Sequence, residues 1–256
     1  MRSILMALLV LLPTAFLPAQ TAREISEKAT DVMDISSMEM VTTLEIYDQK
    51  GRPRIRQVAT ATRTFRGVTK TMIKFLSPAE VKGTSMLIYD YENKSDDMWI
   101  YMPALRKTRR IVSNEKGKNF MGSEFTNADM SKPDMDDFTY RTLSKETYDG
   151  KTCWMVESRC INEAVEDENG FGKRISWIED KTWLVHKIEF YDIDGALQKI
   201  QRISQYKQQP NGKYFAFYME KENIQNGRKS VMKVDKFQVN SNIKEEAFAP
   251  ALLDGR

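Results

Sequence analysis

From Met38 the chain takes up a period of two. Met38, Met40, Leu44 and Ile46 alternate with Glu39, Thr43 and Glu45, the mark of a strand with one face buried and one in water. The residues before it follow another rhythm: Ile25, Ala29, Val32 and Met33 recur at helical spacing among charged neighbours, which predicts a short amphipathic helix over 23–33 that caps a sheet or a pocket. The two-residue alternation then recurs to the end of the chain. Leu184, Ile188 and Phe190 fall on one side with Lys187 and Glu189 on the other, and Phe215, Phe217 and Met219 oppose Tyr214, Tyr218 and Glu220.

Turn chemistry divides the second half. Asp149-Gly150, Asn169-Gly170, Asp194-Gly195, Asn211-Gly212 and Asn226-Gly227 are the pairs that a type I′ hairpin turn favours, because both of its central residues need positive φ. They bound predicted strands at 173–180, 184–191, 197–208, 214–223 and 230–239, an antiparallel meander. One-sided strands must bury their apolar face on another layer, on a helix or on a ligand. One good helix and a short turn near 245–248 give little helical mass for so much sheet, so a curved, partly closed barrel is the expected architecture.

The middle departs from hairpin regularity. WIYMPALRKTRRI runs over 99–111 and GKNFMGSEFTNADMSKPDMDDF over 117–138. The second stretch is too long for a tight turn, yet carries Phe120, Met121, Phe125, Met130 and Met135 among polar residues. Such a loop must fold back on apolar surface, its own sheet being the simplest one.

The N-terminus reads as a secretory signal: Met1, Arg2 and Ser3, an apolar run over 4–12, then small residues at Ala19 and Ala22 after Pro18. Residues 1–22 are therefore expected to be removed, leaving one domain over 23–256 in the periplasm. No cysteine follows the apolar run, so the protein is not expected to be lipidated itself. Without Arg2 the balance is 38 basic against 36 acidic residues, too near neutral to suggest a nucleic-acid partner. Cys153 and Cys160 would pair by default in an oxidising compartment. The seven intervening residue steps read as strand and span roughly 23 Å, whereas a disulfide needs Cα atoms within about 7 Å. Two free, mostly buried thiols are expected.

Trp99, Tyr101 and Pro103, the basic hairpin over 106–110, the FMGSEFT stretch over 120–126 and the ending at Phe248 and Pro250 together resemble the outer-membrane lipoprotein-sorting, LolA-like family, in particular the branch found with export permeases. The resemblance covers nearly all of the chain after the leader and is most specific at FMGSEFT. It implies a mainly β fold: an incomplete antiparallel half-barrel, here of about 10–12 strands, with an N-terminal helix and short helices or loops over the concave face. It also implies an apolar cavity for acyl chains, and no catalytic residue.

Two of the 15 methionines lie in the leader, and the remaining 13 suit either a core or a cavity that accepts flexible chains. The expected lipid-facing residues are Met40, Leu44, Ile73, Phe75, Leu87, Tyr89, Trp99, Tyr101, Phe120, Met121, Phe125, Leu184, Ile188, Phe190, Phe215 and Phe217. Arg106, Lys107, Arg109 and Arg110 either guard a strand edge against aggregation or dock anionic head groups or an acidic partner. Asp129, Asp134, Asp136 and Asp137 lack the spacing of a calcium loop and read as a solvated acidic loop, or as partners of the basic hairpin. His186, without a cysteine or carboxylate constellation, reads as structural. No G-x-S-x-G elbow, zinc spacing or phosphate-binding glycine loop occurs, so neither enzymatic activity nor a cofactor is expected. The expected role is a monomeric carrier of acylated lipoproteins or lipids between an inner-membrane donor, such as an export permease, and an outer-membrane acceptor, with transient membrane contact. The alternative is a sensor or accessory protein acting through a membrane regulator.

Overall fold

The computed structural model describes residues 20–92 and 94–254, so the expected leader lies outside the described residues except for its last three positions. Thr21 and Glu24 form a reciprocal capping box that starts helix α1 (Ala22–Asp31). Ile25 and Ala29, one helical turn apart, give α1 its buried face. No described helix is long and apolar enough to cross a membrane.

The thirteen strands among the described residues belong to one antiparallel sheet. The first six are β1 (Ser37–Tyr47), β2 (Pro53–Phe65), β3 (Val68–Ser77), β4 (Ser85–Tyr91), β5 (Asp97–Met102) and β6 (Lys107–Ile111). The other seven are β7 (Phe138–Tyr148), β8 (Lys151–Cys160), β9 (Lys173–Glu179), β10 (Val185–Tyr191), β11 (Leu197–Gln208), β12 (Tyr214–Asn223) and β13 (Arg228–Val239). The sheet order is β6-β5-β4-β3-β2-β1-β13-β12-β11-β10-β9-β8-β7. β6 and β7 are the two free edges, so the barrel is open, with slightly more strands than expected. Neighbours in sequence pair as hairpins throughout, apart from the step between the two edges. There residues 112–137 carry the chain from one edge to the other through helix α2 (Ser113–Lys116) and three short 3-10 turns. FMGSEFT lies in this bridging segment.

Two turn expectations are revised. Asn169 and Gly170 do not make a hairpin: residues 163–169 form helix α3 (Glu163–Asn169), capped at its start by Asn162, and Gly170 at φ +78° is its left-handed C-terminal residue. Of the remaining four pairs, only Asp149-Gly150 has positive φ at both positions; in the others glycine alone does. Those hairpins have longer loops in which glycine closes the turn, instead of two-residue type I′ turns.

The interior is filled from three sides. Leu44, Ile46, Val58, Ile73, Met86, Ile88, Met98 and Ile100 of β1–β5 pack against Phe120 and Phe125 of the bridging segment. Ile25 and Ala29 of α1 lie on Val156 and Ile178. Val165 of α3 packs with Phe138, Phe171 and Phe190. The opposite, convex face of β3–β5 is covered by the C-terminal tail, where Phe248 and Leu253 sit on Leu87.

Candidate functional site

Between the inner face of β1–β4 and β11–β13, α1 and the bridging segment lies a cavity of about 700 Å³. Of the sixteen residues expected to face a lipid, Met40, Leu44, Ile73, Phe120, Phe125 and Phe215 line it. The alternation that points Met40 and Leu44 inward brings Met38 and Thr42 in too. Met130, Met219 and Met232 complete a methionine-rich wall, and methionine's flexibility suits a surface that must follow a ligand of variable shape.

The other ten are placed elsewhere. Phe75 is fully buried behind the lining, 5.6 Å from Phe120 between ring centres. Met121 packs on the same core from a left-handed turn, φ +49°. Leu87, Tyr89, Trp99 and Tyr101 are on the convex face under the C-terminal tail, with the Tyr89 hydroxyl donating to the Phe248 carbonyl at 2.7 Å. Their inward-pointing neighbours are Met86, Ile88, Met98 and Ile100. Ile188 and Phe190 face inward but are covered by α3 and its contacts. Leu184 leaves that face because the register slips between Val185 and Lys187; a bulge breaks strict alternation, and Leu184 borders a separate cleft with Tyr148, His186 and Tyr206. Phe217 joins Phe215 and Phe237 in a ring cluster and is not part of the lining.

The bridging segment is held by buried charge. Glu124, in the middle of FMGSEFT, has 1 % of its side chain exposed. Its carboxylate lies 3.7 Å from Lys199 Nζ and 3.2 Å from Arg228 Nε, and accepts from Asn223 Nδ2 at 3.1 Å. Its backbone N–H donates to Ser230 Oγ at 2.9 Å and its carbonyl accepts from Lys199 Nζ at 2.9 Å. Five residues on, Asp129 takes Lys221 Nζ at 2.7 Å and the Thr126 N–H at 2.7 Å. Burial opposes ionisation of Asp129, but Lys221, the Thr126 N–H and Lys199 outweigh it and hold the carboxyl below its ordinary pKa. The pKa of Lys199 is also pushed down, by burial and by Lys221. Glycine is required at position 122, where φ is +77°; its carbonyl accepts from Arg228 Nη2 at 2.7 Å. The segment therefore acts as a strut from the β6 edge to β11–β13, and it closes one side of the cavity. None of the five strand residues that clamp it was singled out in the sequence, where they read as ordinary outward polar positions.

The acidic residues of this segment are neither uniformly solvated nor paired with the basic hairpin. Asp129 is in the clamp, and Asp136 binds Arg23 of α1 at 2.6 Å. Asp134 accepts the Asp136 N–H at 2.9 Å. No cluster of potential metal ligands occurs among the described residues. In the basic hairpin, Arg109 pairs with Glu115 at 2.6 Å and Arg110 with Asp97, while Arg106 occupies the turn at φ +50°. Lys107, Arg109 and Arg110 are exposed on the free edge strand β6. His186 Nε2 lies 2.9 Å from Glu179. The cysteines are free and buried, and the odd spacing along β8 sends them to opposite faces: Cys153 beside Trp177, Cys160 with its thiol donating to the Phe171 carbonyl at 3.2 Å.

At the cavity mouth, α1 is tied to the sheet and to the strut. The Tyr214 N–H donates to the Val32 carbonyl at 2.8 Å, and Lys132 Nζ binds Asp34 at 3.0 Å. The Lys132 N–H donates to Asp90 at 3.0 Å. Burial, helped by the nearby Asp96 charge, pushes the Asp90 carboxyl up to about 6.

Comparison with known proteins bears on the fold. A family profile described as uncharacterized-protein-like matches residues 67–254. No curated protein matches the chain in sequence. Among solved structures, a domain from Vibrio parahaemolyticus designated as outer-membrane lipoprotein-sorting superposes with a TM-score of 0.84 at 24 % identity, covering 91 % of this chain and 98 % of that one. A DUF1329-family protein from Desulfovibrio piger gives 0.83 at 23 % identity, with 91 % and 97 % covered. A LolA-superfamily protein from Nitrosomonas europaea gives 0.72 at 18 % identity, with 91 % and 99 % covered. At these identities the likeness is one of fold.

Proposed function

The chain belongs to the family of uncharacterized proteins whose profile spans residues 67–254 and has the LolA-like architecture, and from that premise we propose that it is a periplasmic, non-enzymatic carrier of hydrophobic ligands, acyl chains of lipoproteins or lipids, between the two membranes. The observation that carries this reading is the cavity of about 700 Å³ walled by Met38, Met40, Met130, Met219 and Met232 and floored by Leu44, Val58, Ile73, Phe120 and Phe125. Sites for one small ligand occupy roughly 300–1,000 Å³, so the space suits one chain-sized occupant. Each methylene moved from water into such a lining contributes about 0.8 kcal/mol. Insertion of about ten methylenes thus supplies on the order of 8 kcal/mol before ordering costs, enough for binding that remains reversible. The exposed cations of β6 are the candidate contact to a donor membrane or its permease, and an outer-membrane acceptor takes the cargo.

The test is to purify the processed protein from its native envelope without detergent and to identify by mass spectrometry what accompanies it. A stoichiometric acylated species supports the carrier reading. An empty protein that also fails to take up labelled lipid or acylated peptide sinks it.

A further inference from the structure

The cavity's polarity runs in one direction. The strand register orders its wall in rows: Thr60 faces Ile73, which faces Met86; the next row is Met38, Thr62, Thr71 and Ile88; the last, at the rim, is Thr64, Thr69 and Asp90. At the inner end the lining is mainly apolar, with Leu44, Val58, Phe120 and Phe125, and Thr42 beside Val58 as its polar member on β1. Towards the mouth it becomes a ladder of hydroxyls, Thr62 to Thr71 at 3.0 Å and Thr64 to Thr69 at 2.9 Å. Each threonine hydroxyl donates once and accepts twice, so a cross-strand pair leaves lone pairs free for a ligand. The Thr42 hydroxyl, 5 % exposed, has no partner at all among the described residues. A ligand that was apolar along its whole length would strip water from these groups and give nothing back.

The charge at the rim is as directional as the polarity. Of its two lysines, Lys132 is neutralised by Asp34 at 3.0 Å, whereas Lys213, donating to the uncharged Asp31 carbonyl at 2.7 Å, keeps its charge and offsets one of the rim's two remaining carboxylates. Asp90 and Glu92 also line the rim, and neither has an ion-pair partner among the described residues. The groups facing Asp90 are the Lys132 backbone and ammonium, Asp34 and Asp96.

We propose that the cargo is a single-chain amphiphile with an uncharged, hydroxyl- or amide-bearing head, seated chain-inward with its head against the Thr62, Thr64, Thr69 and Thr71 hydroxyls, and that Asp90 and Glu92 select against anionic heads. This rests on the carrier reading and adds to it the class of head group.

The test uses two probes differing by one group: an acylglycerol, and the same acylglycerol phosphorylated on its terminal hydroxyl. Each displaces an environment-sensitive fluorescent acyl probe from the full processed chain at pH 8 and low salt. The phosphorylated probe binds at least about tenfold more weakly, as like charges in a partly desolvated rim repel. In the Asp90→Asn, Glu92→Gln double variant the gap closes to within about threefold; the amide oxygen introduced by Asp90→Asn still accepts the Lys132 N–H. The Thr62→Val, Thr71→Val variant, equal in shape, loses about fivefold in acylglycerol affinity; an unchanged acylglycerol affinity overturns the seating of the head on these hydroxyls. Equal or tighter binding of the phosphorylated probe by the native protein overturns the inference and leaves the carrier reading standing, as does a gap unchanged in the double variant. Failure of every acyl probe to bind overturns the carrier reading and this inference with it.

Discussion

Removing Asp129 tests whether the strut is held by buried charge. Lys221 has 2 % of its side chain exposed, against 24 % for Asp129, so Asp129→Ala strands an ammonium beside the rings of Phe190 and Phe125, 4.0 and 5.8 Å away. Breaking a buried pair from one side costs about 3–5 kcal/mol, and the Thr126 N–H loses its acceptor, about 1 kcal/mol more. The two costs overlap and do not add, since both come from removing the same carboxylate. The expected loss is therefore about 3–5 kcal/mol. The double variant Asp129→Leu, Lys221→Met removes both charges and keeps the volume, so it is expected to lie within about 1.5 kcal/mol of the native protein. Urea unfolding followed by tryptophan fluorescence measures both. A single-variant loss below about 1 kcal/mol, or a double variant no better than the single, would refute the clamp.

Three further outcomes follow from other parts of the molecule. Asp90 carries a folded-state pKa of about 6, above its ordinary value of 3.8, because of burial and then Asp96; the ionised form is thus a cost that is full above pH 6 and absent below about pH 4, so Asp90→Asn stabilises at pH 8 and is neutral at pH 4. The ceiling on that gain is about 3 kcal/mol, and partial exposure brings the expectation to about 1 kcal/mol, read from urea midpoints at the two pH values. Phe248→Ala opens a cavity under the C-terminal tail, where the ring is fully buried and meets Phe65 at 5.7 Å, and costs about 3–5 kcal/mol while leaving uptake of acyl probes at native affinity, since the tail covers the opposite face. Burial raises the pKa of both thiols, that of Cys160 to about 12, so neither reacts with a thiol reagent at pH 8 until the protein is unfolded, when two react per chain.

Much of this molecule can be read from its residues, and the exceptions share a cause. The helix 22–31 shows in the spacing of Ile25 and Ala29, and strands β10–β13 show in the turn pairs between them. The choice of concave face does not show, because β4 and β5 are apolar on both sides: Leu87, Tyr89, Trp99 and Tyr101 look greasier than Met86, Ile88, Met98 and Ile100, yet the aromatic side is the one the C-terminal tail covers. Threonine hid the cavity wall. Thr60, Thr62 and Thr64 alternate as strictly as any apolar run, and continuing the inward parity of Val58 along β2 finds them. The α3 cap at Asn169-Gly170 passed for a hairpin because a helix of seven residues with Val165 as its one buried side chain has no apolar stripe. The clamp is non-local: Glu124 meets Asn223 and Asp129 meets Lys221 across about a hundred residues, and a charged residue on a strand looks solvated until its partner is known.

Carriage of a hydrophobic ligand in this fold requires that one acyl chain lie in the cavity with its end against the apolar floor. An amphiphile with a photoreactive group at the chain terminus, cross-linked in place and mapped by peptide mass spectrometry, tests it most directly. Labels are expected on Leu44, Val58, Phe120, Phe125 or Met232. Labels concentrated on Trp99, Tyr101 or the tail around Phe248, or no label above the level of an unfolded control, would contradict it.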